Sequence, residues 1–217
     1  AVTDVRVFQS RGSQGVRGIQ LGASERAISM AILEHVEADA AERAAYLKRA
    51  VNERRMAGGE EEDIALTNEE VSEDQELSDE RYVFLKQHEQ FVLTVTEYGY
   101  GKRSSSYDFR LTNRGGKGIR ATDVSKAAEI GRLVASFPVG DDDQIMLVSD
   151  GGQVIRVPVN GIRIASRATK GVTIFNTADE EKVVSVERIS EPQDERESGD
   201  DDDVAANPDD TEGGPED

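Results

Sequence analysis

Arg114-Gly115-Gly116-Lys117-Gly118-Ile119 recurs 53 residues later as Arg167-Ala168-Thr169-Lys170-Gly171-Val172, and 103 residues earlier as Arg11-Gly12-Ser13-Gln14-Gly15-Val16. A fixed period constrains a fold more than local propensity does, because every copy must become the same supersecondary unit. The flanks repeat as well. Leu93-Thr94-Val95-Thr96-Glu97 matches Met146-Leu147-Val148-Ser149-Asp150, Gly99 matches Gly152, Arg103 matches Arg156, and Leu111 matches Ile164. Further along, Leu133-Val134 and Ala27-Ile28 both correspond to Val183-Val184. The interval between the first two copies exceeds the second interval by 50 residues, which marks 35–81 as an insertion.

Each copy reads as about four short strands separated by turn residues. In the second copy the pattern predicts strands at Phe91–Thr96, Lys102–Leu111, Gly118–Asp123 and Arg132–Pro138. In the third it predicts Ile145–Ser149, Val154–Val157, Gly171–Asn176 and Lys182–Ile189. Gly151-Gly152 and Asp141-Asp142-Asp143 supply turns. Units of about 50 residues with four strands are the signature of propeller blades, which must stack to bury both faces. The expected fold class is therefore all-β and propeller-type, and a few copies without ring closure suggest a fragment of a larger array. The expected division is 1–34 as the end of a preceding blade, 35–81 as an acidic insertion, 82–138 as a blade, 139–190 as the last blade, and 191–217 as an acidic tail.

Charge follows the same division. The net charge is −18, but 1–34 carries +1, 35–81 carries −9, 82–190 carries +2 and 191–217 carries −12. A basic remainder beside two acidic segments points to nucleic-acid binding or interaction roles for the parts. In the insertion, Ala40, Ala44, Leu47 and Val51 fall at helical spacing within Glu37–Met56, and Gly58-Gly59 ends the pattern. Glu60–Glu80 reads as a solvated excursion, and the Asp/Glu/Gly/Pro-rich tail as disordered. The chain has no cysteine, so no disulfide, which fits a reducing compartment. It has no apolar run near the roughly 20 residues of a membrane span.

A glycine-rich corner bends sharply and exposes backbone N–H groups, and neighbouring Arg and Lys add charge; together they suit phosphate oxygens. The cations recur at related places. They are Arg11 and Arg17 in the first copy; Lys102, Arg103, Arg114, Lys117 and Arg120 in the second; Arg156, Arg163, Arg167 and Lys170 in the third. Equivalent positions of stacked blades form a curved track for duplex DNA, held by its backbone and selected by deformability. The glycines also serve simply as turn formers. Other chemistry is excluded by pattern. Gly101-Lys102-Arg103-Ser104 lacks the first glycine of a phosphate-binding loop, because Thr96 stands there. His35 and His88 have no cysteine company for a metal site, and Asp141-Asp142-Asp143 lacks spaced ligands for a cation. Tyr98, Tyr100 and Tyr107 read as packing or surface aromatics, with a DNA sugar as an alternative contact.

The stretches LTVTEYGYGKRSSSYDFRLTNRGGKGI and IMLVSDGGQVIRVPVNGIRIASRATKGV resemble the C-terminal domain of the A subunit of bacterial DNA gyrase. The opening FQSRGSQGVRGIQL resembles the end of an earlier blade of that domain. Together the similar stretches cover 1–34 and about 82–190, and insertions like 35–81 occur in some lineages of the family. The resemblance implies a β-pinwheel, a propeller variant that wraps duplex DNA around a basic rim. It implies a part of an ATP-dependent type II topoisomerase that introduces negative supercoils. That enzyme is an A2B2 assembly of two gyrase A subunits and two gyrase B subunits, working in the bacterial cytoplasm at the nucleoid. The resemblance implies no catalytic centre, metal or cofactor within this stretch; ATP and Mg belong to other domains. The family's hallmark box is Gln-Arg-Arg-Gly-Gly-Lys-Gly, and here Thr112 and Asn113 replace its first two residues. That departure reads as the degenerate box of a later blade. The A subunit of topoisomerase IV and a protein-binding propeller are the alternatives.

Overall fold

In the computed structural model, residue 3 and residues 5–58 and 77–190 are described. Strands β1 (Phe91–Thr96), β2 (Tyr100–Ser105) and β3 (Leu133–Val139) form one antiparallel group in the order β3-β1-β2. Strands β4 (Gln144–Ser149), β5 (Val154–Pro158) and β7 (Val183–Ile189) form a second sheet in the order β5-β4-β7. The short β6 (Val172–Thr173) lies in the third copy's sequence but pairs with β2, making the first sheet four-stranded.

The repeat holds residue by residue. Phe91 faces Val139 across β1 and β3, and Gln144 faces Ile189 across β4 and β7, the counterparts at the two repeat offsets. Val92 faces Ser104, as Ile145 faces Val157. Each central strand carries an irregularity at the same place, between Val95 and Thr96 and between Val148 and Ser149. A three-residue 3-10 turn follows β2 at Ser106–Asp108 and follows β5 at Val159–Gly161. Thr96 Oγ1 donates to Tyr100 O, and Ser149 Oγ donates to Gln153 O.

The core lies between the two sheets. Leu93, Val95, Ala135 and Val139 from one sheet meet Ile145, Leu147, Val183 and Val186 from the other, with Val159, Ile162 and Phe175 closing the cluster. Burying a side chain of this size contributes about 1.5–3 kcal/mol. The junction is tight enough to need glycine at 99 and 171. Both have positive φ (+73° and +82°), and a Cβ would run into the Phe175 carbonyl and the Gly101 carbonyl respectively.

The observed architecture is mixed and mostly β, with small sheets and some helices, and the described residues form no closed propeller; all-β blades of four strands are corrected to this extent. The strand expected over Lys102–Leu111 ends at Ser105, where the 3-10 turn begins. Residues 118–123 form no strand, because Gly118 turns the backbone at φ +77° and Asp123 opens another 3-10 turn. Residues 171–176 reduce to β6 and serve the neighbouring sheet. Residues 5–34 contain no strand. The counterpart of β3 and β7 at 27–33 forms no strand; it touches β3 through a side chain, Ser29 Oγ donating to Ser136 O at 2.9 Å. Ile28, Met30 and Ile32 accordingly stay exposed.

The described part of the insertion is helical, as the spacing within Glu37–Met56 predicts. Helix α1 (Ala40–Met56) starts at Asp39, whose carboxylate accepts from Glu42 N while Glu42 reaches back to Asp39 N, a reciprocal cap. Helix α2 (Asp79–Gln87) starts at Ser78 and runs across 81–82, where the sequence suggests a new module begins. Tyr46, Ala50, Tyr82, Leu85 and Tyr107 form a second core. The buried side of α1 is Tyr46, Ala50 and Val51, rotated from the predicted Ala40–Ala44–Leu47–Val51 stripe because the large Tyr46 ring seeks its two partners. Those rings lie 5.3 Å (Tyr82) and 5.1 Å (Tyr107) away. A short helix α3 (Ala127–Ile130) precedes β3. The remainder of Glu60–Glu80 up to residue 76, and the tail expected to be disordered, lie outside the described residues.

Candidate nucleic-acid interface

The three glycine-containing corners are joined in series by backbone hydrogen bonds. Gln20 N donates to Gly116 O at 2.8 Å, and Gly115 N donates to Gly18 O at 2.7 Å. At the equivalent place in the next copy, Asp123 N donates to Thr169 O at 3.3 Å. Each corner thus rests on the segment that follows the corner before it. Gly15, Gly115, Gly118 and Gly171 all have positive φ, so each corner turns through the left-handed region.

The predicted cations divide into three groups. Arg11, Arg17, Arg114, Lys117, Arg120 and Arg156 are exposed. Arg17, Arg114, Lys117 and Arg120 lie within three residues of the corner-to-corner bonds. Arg163, Arg167 and Lys170 are half-buried. Arg167 Nε donates to Asp108 O at 2.9 Å and its Nη1 to Arg120 O at 3.0 Å, while its backbone N donates to Asp108 Oδ2 at 2.6 Å. Lys170 Nζ bonds Glu129 Oε1 at 2.5 Å and lies over the Tyr100 ring. Arg163 Nε is buried without a hydrogen-bond partner among the described residues.

Lys102 and Arg103 form the third group, and here the expectation of a phosphate contact is corrected. Both are buried, because β2 is covered by the third copy's 160–171 segment. Arg103 donates to Ile162 O at 2.7 Å and to Asn160 O at 3.3 Å, and pairs with Asp141. Lys102 Nζ donates into the 166–169 turn. Burial pushes the Lys102 ammonium down to about 7; Asp108 and Asp123 draw it back up and Arg167 adds to the depression. Lys170 moves the other way, raised by its bond to Glu129, whose own carboxyl is held low by Lys170.

The third corner is thereby neutralised by Asp108 and Glu129, while the second presents its cations outward. Neither acid stands out in the sequence. Asp108 ends the 3-10 turn whose counterpart in the next copy ends at Gly161, so the repeat itself does not mark it. Tyr107 packs in the helical core, and its hydroxyl donates to Leu85 O at 2.9 Å. Tyr98 and Tyr100 instead sit beneath Lys182 and Lys170. Among the described residues no group of His, Cys, Asp and Glu is placed to hold a metal ion. No described helix is long and apolar enough to cross a membrane.

Comparison with known proteins follows the repeat. The family described as "DNA gyrase C-terminal domain, beta-propeller" matches residues 1–34, 90–139 and 143–190, stepping over the helical insertion. The DNA gyrase A subunit of Granulibacter bethesdensis is 46% identical over 209 residues, 93% of this chain and 22% of the relative. That of Rickettsia bellii is 42% identical over 197 residues, 90% of this chain and 21% of the relative. The chain thus spans about a fifth of the length of the curated relatives it matches. A solved structure described as "Structure of DNA gyrase A C-terminal domain" is 26% identical with a TM-score of 0.44, covering 46% of this chain and 33% of that one. At that overlap the sequence match, not the superposition, carries the assignment. On that match, the chain belongs to the DNA gyrase C-terminal domain, beta-propeller family.

Proposed function

We propose that this chain is the DNA-wrapping portion of a gyrase A subunit, holding duplex DNA by its phosphates along the shared edge of the corners. The observation that supports it is the series of corner-to-corner hydrogen bonds, which joins the segments bearing exposed Arg17, Arg114, Lys117 and Arg120; in this reading those cations make one strip. Contacts of that kind neutralise phosphates without reading bases, and they favour DNA that bends along the strip. Arg11 and Arg156 extend the strip at its margins, while Glu129 neutralises Lys170. Lys102, Arg103 and Arg167 maintain its shape instead.

In this reading the blades complete a β-pinwheel, and the bent duplex presents a second segment to a strand-passage gate elsewhere in the protein. Negative supercoiling then belongs to the A2B2 assembly with the gyrase B subunits, driven by ATP bound with Mg on other domains in the bacterial cytoplasm. This stretch has no catalytic centre of its own. Ligation of nicked circular DNA in the presence of the full-length protein tests the proposal. Wrapping traps a shift in linking number that persists after the protein is removed. Arg114→Ala with Lys117→Ala is expected to shrink that shift, and an undiminished shift would argue against the strip.

A further inference from the structure

Residues 163–165 run parallel to β2 beside Arg103, the chain turns at 166–171, and it returns antiparallel as β6. The turn therefore closes around the end of one side chain, that of Lys102. Its Nζ lies 2.7 Å from Ser166 O, 2.6 Å from Arg167 O and 2.6 Å from Thr169 O, with Thr169 Oγ1 at 3.2 Å. Carbonyl oxygens of one turn that converge on one point repel each other. An ammonium, with three donors and a charge, offsets that repulsion and satisfies all three. Lys102 is fully buried.

The turn in turn supports the strip. Arg167 Nη1 donates to Arg120 O, and Thr169 O accepts from Asp123 N, so the segment that bears exposed Arg120 rests on the templated corner. We propose that Lys102 is a positioning residue of the DNA track: its ammonium templates the 166–170 corner, and that corner holds Arg120 at the edge. The effect on DNA rests on the function proposed above; the templating does not. Ile155 holds the equivalent place in β5, where no donor is available, so the device belongs to this junction and is not a general feature of the repeat.

The test uses the full-length protein with Lys102→Met, which keeps length and apolar bulk but removes every donor. Hydrogen exchange read by mass spectrometry should be at least about tenfold faster in peptides covering 166–172, since three half-buried carbonyls of the turn lose their partner. Peptides from β4 and β7 should be unchanged. Duplex affinity at fixed salt should fall several-fold, with the slope of log affinity against log salt unaltered, because Lys102 touches no phosphate. Wild-type exchange at 166–172 overturns the template. A slope reduced by about 0.9 also overturns it, because Lys102 would then be a direct phosphate contact. Faster exchange with unchanged affinity upholds the template and sinks the DNA-binding reading of this edge. Lys102→Gln retains two donors and is expected to give intermediate exchange. It carries the same test should the methionine variant not fold, and wild-type exchange in it counts against the proposal.

Discussion

Lys102 shows how one burial changes the meaning of a residue. In the sequence it is one cation among many at the repeated corners; in the fold it is an internal ammonium with its own proton linkage. Its folded value of about 7 lies below the roughly 10.4 of the unfolded amine. Between those values the unfolded chain binds more protons than the folded one, so stability rises with pH from about 7 to about 10. The neutral amine still donates twice, so the corner survives while the desolvation of the charge is relieved. Chemical denaturation of the wild type at pH 7 and pH 9 should show this rise, and Lys102→Met should reduce it. An equal rise in the variant would assign the linkage elsewhere. Nothing in Gly101-Lys102-Arg103 alone distinguishes a buried lysine from a surface one. The distinction depends on which segment covers β2, and that segment lies more than 50 residues downstream. Arg114 and Lys117 are easier to place, because their glycine neighbours force a corner and corners face solvent.

At the scale of elements, the strands are legible in the sequence and the packing of the insertion is not. Apolar alternation marks β1, β4 and β7 nearly to their ends, and the repeat offsets fix their equivalence. β6 escapes because two residues of pairing with the neighbouring sheet leave no periodic trace. Helix α1 is legible from its spacing, but what its buried side packs against is not. Three tyrosines, Tyr46, Tyr82 and Tyr107, come from well-separated parts of the chain and pack together. The packing makes its own pH prediction. Burial pushes the Tyr82 and Tyr107 hydroxyls up to about 12, with Glu53 and Glu89 adding to the rise. An unfolded tyrosine releases its proton near 10. Between about 10 and 12 the folded chain holds protons the unfolded chain has lost, so stability is complete below 10 and falls as pH rises through that window. Melting of the helical region followed by circular dichroism should drop between pH 9.5 and about 11.5. Tyr82→Phe should blunt the drop, and an identical drop in that variant would remove Tyr82 from the account.

For the whole molecule, the repeat carries the assignment, and the corner-to-corner bonds carry the functional proposal. The 53-residue offset is visible in the sequence alone, and it predicts equivalent registers that the two sheets display. What the sequence cannot show is that the third corner is neutralised by Asp108 and Glu129, while the cations of the second are exposed. The segment 191–217 carries −12, and charge of that sign is expected to compete with DNA for the strip's cations. Deleting 191–217 from the full-length protein should tighten duplex binding at low salt, with the gain fading as screening increases; unaltered affinity at low salt would exclude the competition. The most direct measurement is duplex affinity of the full-length protein over a salt series, for the wild type and for Arg114→Ala, Lys117→Ala and Arg120→Ala combined. With about 0.9 of slope for each phosphate neutralised, the triple variant should lose about 2.7 from the log–log slope, while Arg188→Ala on β7 should lose none. A triple variant whose slope matches the wild type would contradict the claim that these corners hold the DNA.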